Sequence, residues 1–134
     1  MNTKHYTSIE QSKKLLELGL SPESADMLWY LVTLNEPATL MVKCWAGSLQ
    51  WQENDLVLPC WSLGALLEVM PKTIRIVNTY YGYELYASAK GYAIDYIDVK
   101  RLRKLHSCDE ESMIEAAYNM VVWLLENNYI KKGE

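Results

Sequence analysis

The stretch that decides the fold is SCDEESMIEAAYNMVVWLLENNYI, residues 107–130, close to the end of the chain. Ser107 and Glu110 have the spacing of a capping box, in which both side chains bond to backbone N–H groups at a helix start. Apolar side chains then recur every three to four residues, as they do along one face of an α-helix. Asn127 and Asn128 provide a stop, because asparagine tolerates the left-handed backbone at helix ends. The pattern predicts an amphipathic helix over residues 107–130.

This predicted helix carries a broad apolar stripe, which is typical of a helix packed on a sheet. Met120 and Leu124 lie in the middle of the stripe, so we expect both side chains in the core. Tyr118, Val122 and Trp123 lie on or beside the stripe and are candidates for a contact with a second copy of the chain. The sequence therefore allows a homodimer through this helix.

Two shorter helices are predicted upstream. Thr7 and Glu10 repeat the capping-box spacing ahead of an apolar face, and Gly19 follows that face as a residue that favours a helix end. Ser62 is a candidate cap for a helix of about two turns, and Pro71 closes that segment. A helix this short does not persist alone, so packing must hold it.

The segments between the helices have the alternation and the turn residues of β-hairpins. Residues 29–57 contain short β-prone runs, in which Trp45 and Trp51 are placed to pack across a hairpin. Residues 74–97 form the clearest hairpin, with apolar and polar side chains alternating on both sides of a turn at residues 88–91. We therefore expect antiparallel strands in both regions.

Length and composition agree with one globular domain. The chain has 134 residues, of which 50% are hydrophobic and 22% charged, so it can bury a core and is too apolar for a disordered protein. Residues 100–106 are predicted to form a basic connector ahead of the last helix. The predicted fold is a single α+β domain over residues 1–134, with helices at both termini and a short central helix packed on antiparallel β-hairpins.

Apolar runs and cysteine usage favour a soluble protein of the cytoplasm. No apolar run approaches the roughly 18 residues that span a membrane, and the first residues lack the apolar segment of a secretion signal. Cys44, Cys60 and Cys108 are widely spaced with no CxxC pair, as expected for thiols in a reducing compartment. We expect no membrane partner. The net charge of -4 argues against non-specific nucleic-acid binding, which depends on neutralising phosphates.

The sequence offers no constellation that predicts catalysis. A metal site needs clustered ligands, and the chain has only His5 and His106 beside its scattered cysteines. Cys60 with His106 is the pair to consider for thiol catalysis, but Cys60 lies in an apolar LPCW context that is typical of a buried thiol. Asp95 and Asp98 form an acidic pair at a predicted strand end. We expect no enzyme activity, no metal and no cofactor.

One alternative function is the binding of single-stranded nucleic acid. Four cations lie within five residues, and tyrosines of the preceding hairpin offer stacking surfaces beside them, as in single-strand binders. The basic run is also explained as a solvated connector, because acidic residues flank it on both sides. The candidate contacts are Lys100, Arg101, Arg103, Lys104, Tyr83 and Tyr86.

Three segments carry a resemblance to known sequences: EQSKKL at residues 10–15, LPCWSL at 58–63 with ALLE and Pro71 behind it, and AAYNMV at 116–121 with WLLEN behind it. Together they resemble a group of small proteins encoded by phages and integrated elements of gut Bacteroidales. The resemblance implies an accessory role and an intracellular setting, and it brings no catalytic residues to this chain.

These observations favour a non-enzymatic accessory or protein-interaction module of phage or mobile-element origin. Tyrosine and tryptophan are enriched at interface hot spots, and the chain has 10 tyrosines and 5 tryptophans but no phenylalanine. The expected partner is a protein, which includes a second copy of the chain. Single-stranded nucleic acid is the alternative partner.

Overall fold

The structure is a computed structural model, and it describes residues 5–30, 39–42 and 57–131. Within these residues the chain has three α-helices and two antiparallel sheets, so the prediction of a mixed α+β fold is confirmed. The predicted pairing of Trp45 with Trp51 lies outside the described residues, as does Cys44.

Short elements make up most of the fold, and the longest is a helix near its end. The helices are α1 (Ile9–Glu17), α2 (Leu63–Val69) and α3 (Met113–Glu126). The strands are β1 (Met27–Tyr30), β2 (Thr39–Val42), β3 (Val57–Cys60), β4 (Thr73–Ile76), β5 (Thr79–Ala87), β6 (Tyr92–Asp98) and β7 (Arg103–Glu110). A 3-10 turn at Pro22–Ser24 precedes β1.

Two antiparallel sheets hold these strands. The smaller sheet has the order β2-β1-β3, and the larger sheet is a meander with the order β4-β5-β6-β7. Strands β5 and β6 pair in antiparallel register, which confirms the predicted hairpin. The N–H of Ser88 donates to the carbonyl of Gly91 at 3.0 Å and closes the predicted turn.

The core lies between α3 and one face of the larger sheet. Met120 and Leu124 on α3 are fully buried, as predicted. Ile94 and Tyr96 of β6 belong to the same core and are also fully buried. The hydroxyl of Tyr96 donates to the Pro71 carbonyl at 2.7 Å, so this large ring is buried with its polar atom satisfied.

The starts of the first two helices follow prediction to different degrees. Helix α2 begins after Ser62, as predicted, and the Ser62 hydroxyl accepts a backbone N–H of the first turn at 3.1 Å. Helix α1 begins after Ser8 and not Thr7, because Ser8 forms a complete capping box with Gln11. Thr7 is instead fully buried, and its hydroxyl accepts from the Trp61 N–H at 3.1 Å.

The largest difference from prediction lies at residues 100–112. The predicted connector and the predicted start of the last helix are wrong, because Arg103–Glu110 is strand β7 and pairs along β6. Helix α3 begins after Ser112, whose hydroxyl accepts the Glu115 N–H at 3.2 Å. The region thus holds two Ser-x-x-Glu spacings. The first, Ser107 to Glu110, lies within strand β7, and the second, Ser112 to Glu115, is at the start of α3. The helix end is as predicted, since Asn128 has a left-handed φ of 62°.

Candidate interaction surface

The larger sheet has one face packed against α3 and an outer face that points the other way. Side chains alternate between the two faces, so the tyrosines predicted to act together are separated. Tyr83 lies on the helix side, where its ring contacts Tyr96 with the centroids 5.9 Å apart. Tyr86 lies on the outer face and is 38% exposed. One flat ligand therefore does not stack on both rings.

A polar cluster surrounds Asp95 in the middle of the outer face. Asp95 is 1% exposed and accepts hydrogen bonds from the hydroxyl of Tyr86 at 2.8 Å and from the hydroxyl of Ser107. Its Oδ2 lies 3.2 Å from Lys104 Nζ. Burial alone raises the pKa of Asp95, but the hydrogen bonds it accepts outweigh burial and hold the pKa below the ordinary value of 3.8. Asp95 is therefore a buried carboxylate with its partners in place.

This cluster is not evident from the sequence. Its members are 9 and 12 residues from Asp95 in sequence, and they meet only through the register of three strands. Of the acidic pair predicted at a strand end, Asp98 is the last residue of β6, as predicted, whereas Asp95 lies inside that strand. The available signal was an acidic residue alternating with the apolar Ile94 and Tyr96 on a strand.

The turns that join β4 to β5 and β6 to β7 lie side by side at one end of the larger sheet. We call this region, residues 75–80 and 97–103, the turn end. Arg101 connects the two turns, because its Nη1 donates to Thr79 Oγ1 at 3.1 Å and lies 3.5 Å from Asp98 Oδ2. A cavity of about 310 Å³ opens between them.

The turn end carries the most exposed large aliphatic side chains of the described residues. Val77 is 80% exposed, Leu102 78% and Val99 67%. Val77 and Leu102 have φ values of 56° and 55°, in the left-handed region where Cβ crowds the following carbonyl. This conformation costs roughly 1–2 kcal/mol per residue and is unusual for a β-branched side chain. Two aliphatic side chains thus point outward from backbone that glycine or asparagine would adopt more easily.

Positive charge surrounds these aliphatic side chains. The charged residues of the turn end are Arg75, Lys100, Arg101, Arg103 and Asp98. Asp98 is 7% exposed and already paired with Arg101. Arg75 donates to the Val77 carbonyl at 3.0 Å and lies over the ring of Tyr80. The surface is therefore basic and apolar, on a chain whose net charge is -4.

The four cations predicted as nucleic-acid contacts do not form one free patch. Lys104 and Arg101 are each paired with a carboxylate of β6. Lys100 and Arg103 lie at the turn end and form no ion pair with any residue that the structure describes. Half of the predicted charge is thus engaged within the sheet.

The three predicted interface residues of α3 are covered in part by their own chain. The ring of Trp123 stacks on His106, with the centroids 4.2 Å apart and the planes 2° apart. It also contacts Tyr129 at 5.4 Å. Tyr118 and Val122 are half-buried and pack against the core. The strongly exposed apolar side chains of the described residues lie at the turn end and not on this helix.

The residues considered for catalysis and metal binding are placed apart. Cys60 Sγ donates to the Thr7 carbonyl at 3.4 Å, whereas the imidazole of His106 lies against α3. Burial lowers the pKa of His106 and raises that of Cys108 to about 11. Among the described residues, no three His, Cys, Asp or Glu side chains are grouped to hold a metal ion. No helix in that part of the chain is long and apolar enough to cross a bilayer.

The outer face and the turn end thus differ in chemistry: one holds a satisfied polar cluster, the other exposed aliphatic and basic side chains. No protein-family model, curated protein or solved structure matches the chain. The candidate site is therefore defined by its residues alone, and the turn end is the part of the described surface with the most exposed large aliphatic side chains.

Proposed function

We propose that this protein is a non-enzymatic accessory protein of phage or mobile-element origin, which acts by binding a partner through the turn end. The observation that carries the proposal is the pair Val77 and Leu102, whose exposed aliphatic side chains lie on left-handed backbone. Strained backbone of this kind clusters at functional sites. A contact made by the two side chains is a physical reason to retain them there.

The polar cluster around Asp95 supports a role without catalysis. A general base that works near neutral pH needs a raised carboxyl pKa, and a nucleophilic lysine needs a lowered one. Asp95 has its pKa lowered. The hydrogen bond with Asp95 raises the pKa of Lys104. Both shifts oppose catalysis at neutral pH, so we interpret the cluster as structural.

Site-specific photo-crosslinking tests the proposal. A photoreactive amino acid replaces Val99 in the turn end and, as a matched control, Ala89 in the turn at the opposite end of the sheet. Both positions are exposed. In cells that produce the full chain, we expect an adduct from position 99 and none from position 89. Equal adducts from both positions, or none from either, would contradict binding through the turn end.

Single-stranded nucleic acid is the second candidate partner. Lys100 and Arg103 supply cations at the turn end, and Tyr80 supplies a ring that is 57% exposed. For two such cations we expect a slope of about -1.4 in log affinity against log salt, since each contact on a single strand adds about 0.7. An oligonucleotide that binds with this slope, and is lost on Lys100→Gln with Arg103→Gln, would favour this candidate.

A further inference from the structure

The turn end projects from the sheet. Val77 and Leu102 lie in two adjacent turns, and Val99 lies in the second turn with Leu102. Val77 and Leu102 are 80% and 78% exposed and are not among the residues that line the cavity, so both project into solvent. Val99 is 67% exposed and lies at the edge of the cavity. An apolar side chain that protrudes from a protein is buried most readily in a fluid environment that can surround it. The boundary between the headgroups and the acyl chains of a bilayer is such an environment.

The apolar side chains of the turn end are mainly aliphatic. Protein–protein hot spots are enriched in Trp, Tyr and Arg, whereas Leu and Val are under-represented. Single-stranded nucleic acid is held by stacked aromatic rings, and the turn end has one tyrosine, Tyr80. Exposed aliphatic side chains with a tyrosine beside them are suited to a bilayer surface, because tyrosine side chains prefer the level of the headgroups.

The charges of the turn end favour an anionic surface. The chain as a whole is acidic, so an anionic bilayer repels most of the protein. Arg101 is paired with Asp98, so the remaining cations of the turn end are Arg75, Lys100 and Arg103. Lysine and arginine have long stems that reach past apolar neighbours, and juxtaposed basic residues are attracted to anionic leaflets. The exposed lysines elsewhere on the described sheet, Lys90 and Lys104, are by contrast each paired with a carboxylate.

We infer that the turn end binds the surface of an anionic lipid bilayer, with its aliphatic side chains in the interface and its basic side chains at the lipid phosphates. The inference rests on the proposed function, which assigns binding to the turn end. It departs from the sequence-based expectation of no membrane partner. That expectation rested on the lack of a spanning segment, which a surface contact does not need.

Vesicle flotation with the full chain tests the inference. The probes are vesicles of phosphatidylcholine alone and of phosphatidylcholine mixed with phosphatidylglycerol. We expect the wild type to float with the mixed vesicles, to stay behind with the neutral ones, and to be released as salt rises.

Two pairs of substitutions separate the apolar and the basic contributions. Val77→Asn with Leu102→Asn should lower the partition into mixed vesicles at least about tenfold, because less apolar surface leaves water. Lys100→Gln with Arg103→Gln should lower it about 25-fold, since each basic side chain beside an anionic leaflet contributes about fivefold. The control is Lys90→Gln, which removes a cation from the opposite end of the sheet and should leave the partition unchanged.

The outcomes are distinct for the lipid inference and for the proposed function. No flotation of the wild type, or equal partition of the wild type and the double glutamine variant, overturns the lipid inference. Melting curves show whether the double asparagine variant is folded. If that variant is unfolded, the vesicle partition of the double glutamine variant alone tests the lipid inference. An adduct from position 99 to a protein or a nucleic acid overturns the lipid inference and leaves the proposed function standing.

Discussion

Lys104 Nζ lies 3.2 Å from Asp95 Oδ2. The last cation of the basic run is therefore paired with a carboxylate that is buried in the larger sheet. Tyr86 and Ser107 donate to the same carboxylate from the strands on either side. The cluster therefore joins β5, β6 and β7 by side chains as well as by backbone pairing. Lys104 is a structural residue of the sheet and not part of a solvated connector.

Asp95→Asn should lower the free energy of unfolding by about 1–3 kcal/mol, the usual cost of a buried polar group with imperfect partners. An amide offers one acceptor oxygen in place of two, and it does not pair electrostatically with Lys104. Urea denaturation at neutral pH measures the loss. The control is Asp109→Asn on β7, an exposed position where the amide oxygen can still accept the hydrogen bond from Ser88 Oγ, so stability should change by no more than about 0.5 kcal/mol.

The contribution of Asp95 to stability depends on pH with a definite sign. Its pKa is lower in the folded chain than the ordinary 3.8 of the unfolded chain, so the stabilisation is fully present above that value. It is lost as the pH falls through the folded pKa. The stability difference between the wild type and Asp95→Asn should therefore narrow in this acid range. A difference that stays constant below pH 3.8 would contradict the lowered pKa.

Gly91→Ala should lower the free energy of unfolding by about 1–3 kcal/mol, because backbone must move to admit the new methyl group. A Cβ at Gly91 would lie 2.6 Å from the Glu110 carbonyl oxygen and closer still to that of Glu111. The matched substitution is Gly64→Ala in α2, where the nearest atom is Ser62 Oγ at 3.7 Å. That change should be neutral or stabilise by up to about 1 kcal/mol. Thermal melting of both variants checks the contrast, and equal shifts would contradict it.

Local signals made much of the fold predictable. Ser62 caps α2, Asn128 ends α3, and residues 88–91 turn between β5 and β6, each as the sequence indicates. Strand β7 was not predictable in this way. Its sequence RKLHSCDE contains Ser107 and Glu110 at capping-box spacing, which is also the spacing at Ser112. Pairing with β6, a contact that no local pattern encodes, decides between them.

The candidate surface was predictable only in its charge. The composition of the basic run is visible in the sequence, but its pairing with Asp95 and Asp98 follows from strand register. Val77 and Val99 look like continuations of β-strands, because aliphatic residues next to strands carry no signal for a turn. Their exposure is set by where the neighbouring strands stop pairing.

Met120→Asp should cost at least about 4 kcal/mol, which combines the loss of a buried methionine with the burial of an unpaired charge. Met120 is fully buried between α3 and the sheet. Glu126→Gln is the control on the same helix, where the side chain is exposed and the change should stay within about 0.5 kcal/mol. Thermal melting provides the comparison. If Met120→Asp melts with the wild type, α3 does not pack in the core.

Val77→Asn and Leu102→Asn should each raise the free energy of unfolding, by up to about 1 kcal/mol, although each removes an aliphatic side chain. The reason is backbone strain: both residues have positive φ, a conformation that asparagine tolerates better than valine or leucine. Val99→Asn is the matched control, because Val99 is also exposed but is not among the residues with positive φ, so its stability should change by no more than about 0.5 kcal/mol. Urea denaturation of the three variants measures the differences.

A stability gain at positions 77 and 102 that accompanies a loss of binding would assign their side chains to the partner. A stability loss at both positions would mean that these side chains support the fold. The positive φ values of Val77 and Leu102 would then be no evidence of a functional site.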